Sequence, residues 1–280
     1  MSVFDEYKRL GEPEKEEKSE IWQTAIGLQQ VDGLTPSQYL IETAKQNIEG
    51  EITFYEVKER INAYYKTKPV KKDNDRTEEA DKVSAHIAEI LSEKTFSFSP
   101  AEYITIHKRL FTGMYEHAGE IRGYNISKDE WVLDGETVYY ASADSIQATL
   151  DYDFEQEKKY KYKGLSKEET VEHIASFTSG LWQIHAFGEG NTRTTAVFAI
   201  KYLRTLGFTV TYDLFAENSW YFRNALVRAN FNDYKNSIYS TMKYLNRFFA
   251  NLLLGQKNVL KNRELHVRQT EDIPQKPYRS

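Results

Sequence analysis

Between residues 166 and 206 apolar positions recur with the period of a helix, and the pattern breaks only once. Val171, Ile174, Ala175, Thr178, Leu181 and Trp182 predict a helix over 166–184, with Ser166 as N-cap and Glu169 completing a capping box. Ala196, Ala199, Ile200, Leu203 and Leu206 predict a second helix, stopped by Gly207 just past its end. The break reads His185-Ala186-Phe187-Gly188-Glu189-Gly190-Asn191-Thr192-Arg193. A glycine-bearing turn that opens a helix aims unpaired backbone N–H groups at one point, with the positive end of the helix dipole behind them. Such a turn is a phosphate site. A histidine at its rim, and a carboxylate four residues before an arginine, add a base, a metal ligand and a phosphate clamp.

The same period predicts further helices over 78–93, 99–111, 143–157, 219–228 and 234–254. Upstream, 21–65 reads as a compact helical unit. One helix precedes Gly33, one restarts at Pro36 after Thr35, and a third, shorter one follows Gly50-Glu51-Ile52-Thr53. The charged stretch 70–77 separates the two parts. The expected division is an N-terminal segment (1–69), a linker (70–77), a core (78–255) and a polar tail (256–280), whose Pro274 and Pro277 suit a frayed end. One stretch has strand character. Asp134-Gly135, flanked by apolar residues from Trp131 to Tyr140, signals a type I′ hairpin. Val132, Leu133, Asp134, Gly135, Glu136, Thr137 and Val138 would form it. A lone hairpin is marginal in water, so one in a helical chain is expected to be a functional flap. The expected fold class is all-α, a helical bundle with this small β-hairpin flap and an N-terminal helical unit.

Composition narrows the function classes. With 280 residues, 40% hydrophobic, twenty Tyr and fifteen Phe, the chain can bury a sizeable core despite a mean hydropathy of -0.66. A net charge of -5 gives no reason to expect nucleic-acid binding. The absence of cysteine excludes disulfides and thiolate metal sites. No run reaches the length of a membrane span and the first residues lack an apolar core, so a cytoplasmic protein is expected.

The loop resembles the signature of the Fic family, His-x-Phe-x-(Asp/Glu)-Gly-Asn-Gly-Arg-x-x-Arg, at His185, Phe187, Glu189, Gly190, Asn191 and Arg193. Ile106 to Phe111 and Tyr115 to Arg122 resemble the segment preceding the family's substrate-binding flap, and the resemblance extends over 78–254. It implies a Fic-type bundle that moves AMP from ATP to a protein hydroxyl with Mg²⁺. His185 would be the general base, since imidazole titrates near neutral pH. Gly188, Gly190, Asn191, Thr192 and Arg193 would bind the phosphates, and Glu189 the metal. The flap would hold an unidentified target protein by strand addition, and the chain itself can serve as an acceptor. The N-terminal unit looks like a fused VbhA-type antitoxin, as in toxin–antitoxin pairs.

The departures are as informative as the matches. Thr192 replaces a glycine, and Ala196 replaces the second arginine, which in the family binds the γ-phosphate and pairs with an inhibitory glutamate. The inhibitory pattern (Ser/Thr)-x-x-x-Glu-Gly falls on Leu28 to Gly33, where aspartate stands for glutamate. Asp32 and Gly33 are therefore the favoured inhibitory residues, ahead of Glu49 and Gly50. With both partners of the ion pair altered, degraded autoinhibition is expected; should Asp32 still inhibit, Arg193 is the partner to suspect. Besides an adenylyltransferase, two alternatives remain: a Fic-type transferase with another nucleotide or phosphate-linked donor, and a weakly catalytic nucleotide-binding regulatory module.

Overall fold

The computed structural model describes residues 15–68, 76–210 and 213–268. The first fourteen residues, most of the expected linker and 269–280 lie outside them. Among the described residues the chain is helical, with one isolated antiparallel bridge, Asp233 to Ile238, as its β pairing.

The N-terminal unit contains α1 (Lys15–Gly27), a 3-10 turn (Leu28–Asp32), α2 (Gln38–Ile48) and α3 (Phe54–Lys66). Ser37 rather than Pro36 starts α2, its hydroxyl capping the Leu40 N–H. The third helix is longer than the second, thirteen residues against eleven, because Thr53 and Glu56 form a capping box that the sequence reading overlooked. Asn47 knits the unit together: its amide oxygen accepts from Trp22 Nε1 at 2.9 Å and its nitrogen donates to the Ile52 carbonyl at 2.9 Å.

The core contains α4 (Thr77–Ser92), α5 (Pro100–Phe111), α6 (Ile146–Lys159), α7 (Lys167–Ile184), α8 (Asn191–Thr205), α9 (Asp213–Ala229) and α10 (Lys243–Leu254). The predicted capping box starts α7 and Gly207, at φ 85°, follows α8. Every residue of α8 from Asn191 to Leu203 is buried, so α8 is the axis of the bundle. α4, α5, α7 and the 3-10 turn pack around it.

The N-terminal unit shares this core. Ile21, Trp22, Ala25 and Leu28 join the same apolar cluster, and α1 lies on α4 and α9. The approach to α9 requires glycine, since a Cβ on Gly27 would stand 2.3 Å from the Ala216 carbonyl oxygen. Asp81 of α4, fully buried, ties in the other helices. It accepts from the Ser37 N–H at 2.7 Å, the Ser37 hydroxyl at 2.5 Å and the Tyr65 hydroxyl at 2.6 Å.

Two expectations need correction. The hairpin does not form strands. Asp134 (φ 61°) and Gly135 (φ 90°) do take the two left-handed positions, and the Glu130 N–H reaches the Glu136 carbonyl at 3.1 Å. However, Trp131–Leu133 is a 3-10 turn, because Val132 and Leu133 are both buried. Consecutive strand residues face opposite sides, so two adjacent core residues favour a helical turn instead. The polar stretch after 255 is also packed as far as 268: Leu265 is buried, the His266 ring meets Trp131 edge-on, and the Val267 N–H donates to the Val132 carbonyl. No helix among the described residues is long and apolar enough to cross a membrane.

The packing of α1 against α9 can be tested with two glycines. Gly27→Ala is expected to lower stability in urea unfolding by about 1–3 kcal/mol through overpacking. Gly180→Ala in α7, whose Cβ would meet only Asp153 Oδ2 at 3.6 Å, is expected to be neutral or to stabilise by up to about 1 kcal/mol. Equal effects at both sites would contradict the close contact.

Candidate active site

The loop between α7 and α8 is held from all sides through its backbone. His185 ends α7 in a left-handed conformation, φ 50° and ψ 55°. For a non-glycine residue this is strained, and it persists only where the surroundings enforce it. Arg122 enforces it. This buried side chain donates from Nε to the His185 carbonyl at 2.7 Å, and from its terminal nitrogens to the Tyr124 and Ala141 carbonyls at 2.5 Å each. Its own N–H donates to the Ala186 carbonyl at 3.0 Å. Carbonyl dipoles, rather than a carboxylate, solvate this cation, and burial lowers its pKa.

His107 of α5 supports the loop's other half. Its ring lies on Phe187, with centroids 3.7 Å apart and planes 9° from parallel. The Gly119 N–H donates to Nδ1 at 2.9 Å, so Nε2 carries the proton and donates to the Glu189 carbonyl at 3.1 Å. This fixes a neutral imidazole, and burial pushes its pKa down to about 4. Asn191 closes the loop on itself: its amide oxygen accepts from the Phe187 N–H at 3.0 Å and its amide nitrogen donates to the Phe187 carbonyl at 2.7 Å. Gly190 is left-handed and lies against the Phe111 ring, which a Cβ would meet at 2.2 Å.

These supports aim the predicted groups at one cleft. His185, Glu189, Gly190, Asn191 and Thr192 line it, together with Asp32 and Arg223. The N–H groups of Asn191, Thr192 and Arg193 precede the first intrahelical bond of α8, from Thr194 to the Gly190 carbonyl. The Asn191 side chain is spent on the loop, so it shapes the turn rather than facing a ligand. Gly188 is buried and does not line the cleft, and a Cβ there would be 2.7 Å from the Tyr124 hydroxyl. Thr192 accepts a hydrogen bond from Trp182 Nε1 at 3.0 Å and keeps its own proton to donate. His185 Nδ1 is buried without a partner, and Tyr140 covers the ring at a centroid distance of 4.0 Å. Burial, then the charges of Lys128, Arg223 and Arg122, lowers its pKa well below 6.5, so the imidazole is neutral. Glu189 is half exposed and pairs with Lys128 at 3.2 Å.

Arg193 is fully buried and points to the N-terminal unit. It pairs with Asp32 at 2.8 Å and Glu79 at 2.8 Å, donates to Gln29 Oε1 at 3.0 Å and lies over the Phe111 ring. Burial opposes the charge on Glu79, but hydrogen bonds from Arg76 and the Arg193 charge bring its pKa down to about 2. Asp32 thus has a cation, and it is Arg193 rather than a residue at position 196. Gly33, at φ 66°, ends the 3-10 turn and its N–H bonds the Gln30 carbonyl, while the Asp32 carboxylate reaches Arg193 and, at 3.7 Å, Arg223 of α9. Glu49 and Gly50, the other inhibitory candidates, end α2, where Glu49 is exposed and pairs with Lys15. With the N-terminal unit seated, the cleft measures about 20 Å³. That admits one water, whereas ligand pockets run to about 300–1,000 Å³.

The sequence reading assigned no role to Glu79, His107, Arg122 or Arg223. A weak signal existed for one of them: His107 stands on the apolar helical stripe formed by Tyr103, Ile106, Leu110 and Phe111.

Residues 97–203 match the model of the Fic/DOC family, and this stretch, which holds the loop, His107, Arg122 and Arg193, is a Fic/DOC domain. The chain is 29% identical over 108 residues to the protein adenylyltransferase VbhT of Bartonella schoenbuchensis, an alignment covering 39% of this chain and 21% of that protein. It is 27% identical over 142 residues to a protein adenylyltransferase of Bartonella henselae, covering 48% and 26% respectively. The chain therefore spans only about a quarter of these relatives' length. Among solved structures, the N-terminal Fic domain of a VirB-translocated Bep effector protein from Bartonella quintana, with bound ADP, aligns at TM-score 0.49 and 22% identity, covering 62% of this chain and 82% of that one.

The buried histidines make stability depend on pH. Below 6.5 the unfolded chain takes up protons that folded His107 refuses until about pH 4. Stability should therefore fall with pH across that window, by up to about 1.4 kcal/mol per unit for each such group. His185 acts in the same direction. Glu79 adds to the loss below about pH 4.5, as the fold's stabilisation of its ionised form disappears towards pH 2. Urea unfolding at several pH values should show a shallower slope between 6.5 and 4 for His107→Gln. Stability that rises on acidification would contradict the neutral assignment.

Proposed function

We propose that the chain is a protein adenylyltransferase whose nucleotide site is closed by its own N-terminal segment. The observation that carries this reading is the neutral His185 imidazole at a cleft lined by the N-terminal turn of α8. The family match over 97–203 and the names of the two curated relatives support it. In the reaction, a hydroxyl of a target protein, or of the chain itself, gives its proton to His185. Its oxygen bonds to the α-phosphorus of ATP, and the bond to the departing pyrophosphate breaks. Donors arranged before the reaction stabilise the developing charge without reorganising. The N–H groups of Asn191, Thr192 and Arg193 fill this role, and Arg193 clamps a phosphate once Asp32 withdraws.

The site suits Mg²⁺. No group of three or more metal-ligating side chains occurs among the described residues, but Glu189 presents a half-exposed carboxylate at the cleft. Mg²⁺ commonly takes one or two carboxylates and completes its shell with phosphates and water. Bound there, it would neutralise phosphate charge. The backbone of 137–140, beside the exposed Glu136 and Tyr139, is the proposed docking edge for the target, with Val132, Leu133 and Val138 anchoring it from the core. The N-terminal unit acts as a fused antitoxin of the VbhA type, and the cysteine-free chain suits a reducing cytoplasm. A different phosphate-linked donor is the second reading, favoured by the alanine at 196.

Asp32→Ala should expose Arg193 and raise self-modification during incubation with Mg-ATP, seen by mass spectrometry as added AMP. Adding His185→Ala to that variant should reduce the rate by about 10²- to 10⁴-fold, as for loss of a positioned base. Equal labelling with and without His185 would reject the mechanism. Modification by another nucleotide but not by ATP would favour the second donor reading.

A further inference from the structure

The cation missing at position 196 has a replacement from another helix. Ala196 is fully buried within the apolar core. Arg223, from α9, reaches the cleft instead, where it lines the same walls as His185, Gly190, Asn191 and Thr192. The two oxygens of the Asp32 carboxylate divide between two guanidiniums, one 2.8 Å from Arg193 and the other 3.7 Å from Arg223. Two arginines from different elements thus converge on one anion.

The rest of the Arg223 environment holds its guanidinium at that place. One terminal nitrogen donates to the Val31 carbonyl at 2.8 Å, and the other bonds both oxygens of buried Glu130 at 3.0 and 3.1 Å. Its Cζ lies 5.4 Å from the centroid of the Trp220 ring. The Val31 contact belongs to the same 3-10 turn as Asp32, so withdrawal of that turn frees the nitrogen facing the cleft. The contacts to Glu130 and Trp220 remain. A guanidinium fixed by such contacts loses little freedom on meeting a phosphate, whose oxygens match its fork of donors.

We propose that Arg223 is a phosphate-binding residue: with Arg193 it forms a two-guanidinium seat, filled by Asp32 in the closed chain and by a distal phosphate of the nucleotide in the open one. The inference rests on the nucleotide reading of the cleft. It explains how the site can dispense with an arginine at 196 and why a shorter acid suffices at 32, since Asp32 lies between the two cations. The nucleotide displaces one anion with another, so neither arginine is left unpaired.

The test uses the full chain carrying Asp32→Ala and measures binding of ATP, AMP and inorganic tripolyphosphate by calorimetry. Arg223→Gln should weaken ATP and tripolyphosphate by about ten- to a hundredfold, the range for a charge-assisted hydrogen bond, and leave AMP nearly unchanged. Arg223→Lys should recover part of the loss. Because Arg223→Gln leaves Glu130 buried beside a neutral partner, the pair Arg223→Gln with Glu130→Gln serves as a second variant and should show the same selective loss. Unchanged ATP affinity in folded variants of both kinds would overturn the proposal while leaving the nucleotide reading intact. Equal weakening of ATP and AMP would also overturn it, by placing Arg223 away from the distal phosphates. If Asp32→Ala binds tripolyphosphate in an Arg223-dependent way but no nucleotide, the two-arginine seat stands and the nucleotide reading fails.

Discussion

A guanidinium with no contact with solvent must be paired, and the arrangement of this protein follows from how Arg193 is paired. Removing one partner of a buried ion pair typically costs about 3–5 kcal/mol, because the remaining charge stays uncompensated. The partners of Arg193 come from places far apart in the chain: Gln29 and Asp32 from the turn after α1, and Glu79 from the first helix of the core. Glu79 is fixed in turn by Arg76 and by the Tyr115 hydroxyl. Docking the N-terminal unit, placing α4 and burying the first turn of α8 are therefore one electrostatic requirement. Energies in such a network do not add.

The loop that bears His185 uses a different economy. Arg122, His107 and Asn191 each bond its backbone groups, and none of them needs a charge partner there. This satisfies the polar groups of a turn that no regular structure could satisfy, and it holds the left-handed residue at position 185. A rigid loop on rigid supports keeps the imidazole in register with the N-terminal turn of α8, as the proposed proton transfer requires.

Much of this was legible in the sequence. The helical period and the Ser166 to Glu169 box gave α7 with its correct start, and Gly207 gave the end of α8. The loop's chemistry was legible because its residues are contiguous. The flap was misread because a turn signal fixes two residues, Asp134 and Gly135, and says nothing about whether Val132 and Leu133 share a side. The surroundings of Asp32 were legible in part: Arg193, a helical turn before the altered position 196, could be named as a partner from the motif, whereas Arg223 lies on another helix and could not. Contacts such as Gln29 to Arg193, 164 residues apart, leave no local trace. The Asn191 side chain shows the same limit, since residue type offered a ligand donor and geometry made it a loop clamp.

Asp81 gives the N-terminal unit a second attachment, remote in chemistry from the one at Asp32. Its three accepted hydrogen bonds hold the start of α2 and the end of α3 to the core, whereas the plug itself is a single 3-10 turn. Such turns have poorer hydrogen-bond geometry than an α-helix and belong to the less stable parts of a fold. On the proposed reading, in which this turn closes the cleft, it could open by local melting while the helices that flank it stay seated. Opening is then unimolecular and independent of protein concentration. The affinity measured for any ligand of the cleft is its intrinsic affinity scaled by the fraction of chains whose plug is out. A mutation that merely loosens the turn, without touching the cleft, would act on this protein as an activating ligand does on others.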